Sequence, residues 1–180
     1  MGHNGSVLFE MVNKNIEEGF YVSTGIKLFE NNIPFSLILD YTKNSNPTTG
    51  NARFSNLFCC WSSSLNKWIL CVNKESATAG FYRSSMYGNP KSLSGTKPTS
   101  GRNRMIITHE ANSNKITIYY KYNNGNLLTF EHTYTFTSDS SKMALGASPS
   151  TGQGMPAGTI TLARILGEVL NENAINNFFA

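Results

Sequence analysis

Charge is what this 180-residue chain has least of: only 14% of its residues are charged, and its two aspartates are Asp40 and Asp139. The polar surface must therefore come from Asn, Ser and Thr, which favour turns and strand surfaces over helix interiors. Clustered basic residues are missing too. The net charge is +4 and the pI near 9.0, yet the densest basic group is only Lys91, Lys97, Arg102 and Arg104, in a stretch rich in Ser, Gly and Pro. A nucleic-acid interface needs tighter clustering, ideally interleaved with aromatics, so no nucleic-acid partner is expected. No apolar run reaches membrane-spanning length, so no membrane insertion is expected. Neither a signal peptide nor an internal repeat is visible, and lack of the former does not make the chain cytosolic.

Cysteine is sparse. Any pairing of Cys59, Cys60 and Cys71 leaves one over. Neighbours in FCCW face opposite sides of a strand, so one of them would lie across a hairpin from Cys71, where a bridge is sterically allowed. Buried thiols are the expected state. No His stands at ligand spacing from them, which disfavours a metal site.

What the chain does have is alternation. Period-two runs recur at Ser6–Val12, Phe20–Leu28, Phe35–Tyr41, Phe54–Trp61, Lys67–Val72, Thr78–Arg83, Arg104–His109, Lys115–Tyr122, Leu127–Phe136, Lys142–Gly146 and Thr159–Leu166. Ser84–Gly101 and Ser148–Gly158 read as loops. Asn123-Asn124-Gly125 is a tight-turn signal, because these residues tolerate positive φ. Only Asn171–Phe179 reads as helix, with Asn171 as cap and Ile175, Phe178 and Phe179 on one side. The pattern predicts an all-β, two-sheet antiparallel β-sandwich with a short C-terminal helix. No shift in composition marks a boundary, so residues 7–180 are expected to form one domain. Residues 1–6 read as a flexible start or a tag remnant.

Catalytic signatures are also lacking. Glycoside hydrolysis needs two facing carboxylates, but Glu17–Glu18 read as a solvated turn, and Glu10, Glu30, Glu75, Glu110, Glu131 and Glu168 each stand alone. The chain has no Gly-x-Ser-x-Gly elbow, and GQGMPAG lacks the Lys-Ser/Thr and helix of a phosphate loop. His3 lies in the start segment, while His109 and His132 read as surface histidines at strand ends. No enzyme activity is expected.

Four segments together resemble the laminin G-like group of concanavalin A-like jelly rolls. They are YVSTGIKLFENNIPFSLILDY near the start, RMIITHEANSNKITIYYKYNNG as a central hairpin, KMALGAS, and GTITLARILGEVLNENAINN at the end. In that group the last strand carries a Val-Arg-Ile step, which Arg164 matches in a structural role. Acidic residues often precede that step, whereas Thr161 and Leu162 stand here. Calcium-binding members need several carboxylate and carbonyl oxygens at a loop rim. With two aspartates in no acidic cluster, calcium is not favoured and no cofactor is expected.

The resemblance makes the sandwich a jelly roll and implies a non-catalytic carbohydrate-binding or adhesion module, outside the cell, at a cell surface or on a virion. Its partner would be a glycan or cell-surface polysaccharide, together with other virion or surface-protein subunits. The Asn-rich, charge-poor composition would suit a bacteriophage tail or fibre component. Sugars are held by aromatic faces and a few placed polar groups. Tyr87, in the loop SSMYGNPKS with Arg83, Asn89 and Arg102 near it in sequence, is the leading candidate. Trp61, also a candidate, flanks a hairpin turn with Trp68, and core or cross-strand packing is the favoured reading for both. Period two places Tyr119 outside and Tyr120 inside. The alternative function is a structural or oligomerisation domain without a sugar site. In that case the apolar end INNFFA would meet a partner, although Phe178 and Phe179 closing the sandwich accounts for it as well.

Overall fold

The computed structural model describes residues 6–28, 30–44, 54–62, 67–75, 78–83, 91–92, 100–133, 142–146 and 154–180. Among them are twelve strands and one helix: β1 (Val7–Ile16), β2 (Val22–Lys27), β3 (Phe35–Lys43), β4 (Phe54–Ser62), β5 (Lys67–Glu75), β6 (Thr78–Arg83), β7 (Lys91–Ser92), β8 (Gly101–His109), β9 (Lys115–Tyr122), β10 (Leu128–Thr133), β11 (Lys142–Leu145), β12 (Gly158–Leu166) and α1 (Glu172–Phe179). They form two six-stranded sheets, β1-β12-β3-β8-β9-β10 and β2-β11-β4-β5-β6-β7, with every pairing antiparallel. The fold is the all-β sandwich with a C-terminal helix that the alternation predicts. The two-residue strand β7 falls inside a stretch read as loop, being too short to show a period.

The inward positions of both sheets meet in one apolar core. Leu37, Leu39 and Tyr41 of β3, Met105 and Ile107 of β8, Ile116, Ile118 and Tyr120 of β9, and Ile160, Ala163 and Ile165 of β12 pack with Phe58, Cys60, Met143 and Leu145 of the second sheet. Each large apolar side chain buried there stabilises the fold by about 1.5–3 kcal/mol. Tyr41 and Tyr120 keep their hydroxyls satisfied by donating to the Pro156 carbonyl (2.6 Å) and to Asn103 Oδ1 (2.6 Å).

Gly25 interrupts the alternation of β2 because the strand bulges there. Lys27 and Ser23 pair with Lys142 and Ala144, so β2 carries extra residues between two ladder positions. Gly25 adopts φ +75°, and a Cβ built on it would meet nothing within 4 Å. The left-handed backbone, and no close approach, is therefore what asks for glycine. Thr24 stabilises the bulge: its Oγ1 donates to the Met143 carbonyl (2.6 Å) and accepts from the Ile26 amide (3.2 Å).

The first sheet departs from simple alternation. Ser36, Ile38 and Asp40 should face water, yet β3 is buried at nearly every position. Two contacts account for this: α1 and the segment leading into it lie over Ile38 and Ser36 on the outer face of this sheet, and Arg102 pairs with Asp40. Ile175 and Phe179 form a second apolar cluster with Ile38, Ile106 and Leu166, flanked by Tyr119, Leu162, Leu170 and Phe178. Leu162, standing where the jelly-roll resemblance suggests an acid, serves this contact. Phe178 and Phe179 thus cover the back of one sheet rather than the gap between the two. Ser36 Oγ fastens the approach to the helix, donating to the Glu168 carbonyl (2.8 Å) and accepting from the Leu170 amide (3.0 Å).

His109 also differs from the surface reading. It is 1% exposed, its ring is tilted against Phe35 at 5.4 Å, and its two nitrogens lie 2.8 and 2.9 Å from the Ile33 and Ser113 carbonyls. It ties the β8–β9 hairpin to the loop before β3. A period-two pattern shows which face a residue takes, but not that a loop will fold over it.

Candidate functional site

The helix leaves part of the outer face open, and there the structure forms a groove of about 600 Å³. Register sets its floor. Thr108, Thr117 and Glu131 make one row across β8, β9 and β10, and Ile106, Tyr119 and Thr129 make the next. Since side chains on one face recur every second residue, Thr117 with Tyr119 and Thr129 with Glu131 present neighbouring groups outward. Val169, Leu170, Glu172, Ile175 and Asn176 line the groove from the helix and its approach, Leu127 from the turn just before β10, and Glu110, Ser113 and Lys115 from the β8–β9 hairpin. The helix is fixed by its cap, Asn171 Oδ1 accepting from the Ala174 amide at 2.9 Å. At its other end Arg104 Nη1 donates to the Phe178 and Ala180 oxygens (3.0 Å each), and Lys121 Nζ to the Phe179 oxygen (2.9 Å). These cations suit the negative end of the helix dipole.

Three carboxylates, Glu110, Glu131 and Glu172, line this groove beside one ammonium, Lys115, which reaches Glu131 Oε2 at 3.3 Å. Partial burial pushes the Tyr119 hydroxyl above its ordinary value, and the charges of Glu131, Glu172 and Glu110 push the same way. The hydroxyl therefore stays a donor as well as an acceptor. Among the described residues, no three His, Cys, Asp or Glu side chains come together closely enough to hold a metal ion. The arrangement offers a half-buried aromatic side chain, three threonine hydroxyls, an amide and charges of both signs, which suits a polar ligand.

Of the residues singled out from sequence, Tyr119 lies in the groove, half-buried, with Tyr120 on the core side at 3% exposure. Arg102 lies on β8 outside it, its guanidinium occupied by Asp40: Nε donates to Oδ1 at 2.9 Å and Nη2 to Oδ2 at 2.6 Å. Arg83 ends β6 and Trp61 lies on β4, both in the other sheet. Arg83 and Arg102, near each other in sequence, thus stand on strands of different sheets. Trp61 stands opposite Trp68, and Cys59 opposite Cys71, in the β4–β5 ladder. Tyr87 and Asn89 lie outside the described residues. Arg164 has a structural partner, Glu10 on β1, at 2.6 Å.

Sequence reasoning passed over Glu110, Glu131, Glu172, Thr117, Thr129 and Asn176. The glutamates do stand alone along the chain, and only pairing and helix docking gather them. Outward alternation in KITIYYKY and LLTFEHT was the available signal. What it lacked was the register between those strands and the position of α1.

No family model and no curated protein matches the sequence. Solved structures do match. The Ruminococcus gnavus IT-sialidase CBM40 bound to α2,3-sialyllactose is similar over 97% of this chain and 99% of its own, with a TM-score of 0.65 and 12% identity. The leech intramolecular trans-sialidase is similar over 97% of this chain, with a TM-score of 0.64 and 16% identity, and the chain spans 28% of that enzyme's length. The NanB sialidase of Streptococcus pneumoniae is similar over 96% of the chain and 28% of its own, with a TM-score of 0.62 and 15% identity. At such identities the likeness is one of fold, and this chain shares its β-sandwich, nearly end to end, with a CBM40 domain of a sialidase.

Proposed function

We propose that the chain is a non-catalytic carbohydrate-binding module whose glycan lies in the groove beside α1. One observation carries this reading: Tyr119 lines a groove together with three threonines, on a sandwich that matches a whole CBM40 domain. Aromatic faces take up the apolar side of a sugar ring, and the surrounding donors and acceptors order its hydroxyls. The laminin G-like pattern of strand motifs belongs to the same reading. So does a place outside the cell, at a cell surface or on a virion appendage, where glycans are met. No helix among the described residues is long and apolar enough to cross a membrane.

A glycan array followed by calorimetry tests the proposal. Tyr119→Ala should weaken binding about tenfold or more. Because Tyr119 also packs on the cluster beneath α1, the change should lower the melting transition as well, so binding is compared at a temperature where the variant is fully folded. Full binding by that variant would remove the groove from consideration. Tyr87→Ala, Arg83→Ala, Asn89→Ala, Arg102→Ala and Trp61→Ala belong in the same series. Loss of binding in one of these, with Tyr119→Ala unaffected, would move the site there.

A second reading, a domain making protein–protein contacts, is favoured by the edge strand β1, where Val7, Leu8 and Val12 are 49%, 45% and 51% exposed. An apolar edge strand is a ready surface for pairing. Light scattering would then report a dimer or larger species that Val12→Lys dissolves, with no glycan bound.

A further inference from the structure

The charge of the groove is at odds with the ligand of its structural neighbours. Sialyllactose carries a carboxylate, whereas three carboxylates already line this groove against one ammonium, and that ammonium is held by Glu131. Among the described residues neither Glu110 nor Glu172 has a cationic partner. The nearby cations of the same sheet face are committed elsewhere: Arg102 to Asp40, and Arg104 and Lys121 to the end of α1. An anionic sugar laid here would meet an excess of like charge, offset only by the Lys115 ammonium that Glu131 already shares, which disfavours it.

We infer that the groove takes a glycan bearing protonated primary amines, a de-N-acetylated hexosamine polymer, and rejects sialylated glycans. This rests on the glycan-binding reading and names the ligand class for that same site. The three carboxylates come from three elements, the hairpin after β8, the strand β10 and the first turn of α1, and they do not converge as a metal site would. Carboxylates spread along a groove fit a polymer that repeats its charge on every ring. Each ammonium donates a charge-assisted hydrogen bond to a carboxylate, and Tyr119 takes the ring face. The net charge of the whole chain is +4, so long-range attraction works against a cationic polymer. A preference for one must come from the groove itself.

The test is calorimetry with three probes: an oligomer of β1,4-linked glucosamine, its fully N-acetylated counterpart, and sialyllactose. The glucosamine oligomer should bind at least about tenfold more tightly than the other two at low salt, and added salt should erode that advantage. Glu110→Gln, Glu131→Gln and Glu172→Gln should each reduce the preference with unchanged melting transitions. If sialyllactose or the acetylated oligomer binds as tightly, and Tyr119→Ala abolishes that binding, the charge inference fails while the module remains a glycan binder. If no saccharide of any charge binds, the carbohydrate reading itself fails and takes the inference with it.

Discussion

Asp40 shows how one residue's environment decides the cost of changing its partner. Its side chain is 7% exposed and that of Arg102, which grips it through two hydrogen bonds, is 50% exposed. Removing the cation leaves a nearly buried carboxylate uncompensated, whereas removing the carboxylate lets the arginine turn to water. Arg102→Met should therefore destabilise by about 2–3 kcal/mol, below the full cost of a deeply buried pair because water reaches the guanidinium. Asp40→Asn should cost about 1 kcal/mol. Urea unfolding of the two variants decides it, and equal losses would mean that the pair is no more than a surface bridge. The same contact engages Nε and Nη2 of Arg102, which leaves Nη1 as the donor it could offer a ligand.

At the scale of the element, α1 has only eight residues, too few to persist in water without tertiary support. Its cap and its two buried side chains supply different parts of that support. Asn171→Ala removes the cap and should cost about 1 kcal/mol, while Ile175→Ala opens a cavity beneath the helix and should cost about 2–4 kcal/mol. Amide hydrogen exchange should show α1 opening more readily in both variants, with the strand ladders unaffected. Uniform loss of protection across the sheets would mean that the helix does not open as a separate unit. Because Glu172, Ile175 and Asn176 line the groove, a frayed helix should weaken ligand binding even where Tyr119 is intact.

Across the whole molecule, the two core tyrosines link stability to alkaline pH. Burial holds the Tyr41 and Tyr120 hydroxyls well above the ordinary tyrosine value of 10.0, with the neighbouring Tyr122 adding to the shift at Tyr120. Below that value both states keep the protons, and the stabilisation is fully present. As pH rises past it, the unfolded chain releases protons that the folded chain retains, so the unfolded state gains. Stability should fall by up to roughly 1.4 kcal/mol per pH unit for each tyrosine, until the folded-state value is passed. Urea midpoints measured between about pH 8 and pH 11 would show it. Tyr120→Phe and Tyr41→Phe should each flatten the alkaline slope, at about 1–2 kcal/mol of neutral stability for the acceptors left at Asn103 and Pro156. A slope unchanged in the double variant would assign the effect to other groups.

The sequence by itself determined the local rules. Alternation placed Ile116, Ile118 and Tyr120 inward and Tyr119 outward, Asn123 took its positive φ in the Asn-Asn-Gly turn, and Asn171 capped the one helix. Each follows from the geometry of a few consecutive residues, so a few consecutive residues suffice to read it. Tertiary structure alone decided where α1 lies, that it and the segment before it cover Ile38 and Ser36, that Arg102 closes over Asp40, and that His109 is enclosed by two loops. It also decided that Glu110, Glu131 and Glu172, solitary in sequence and 62 residues apart from first to last, share one groove. Register and docking depend on contacts between distant segments, and no local pattern encodes them.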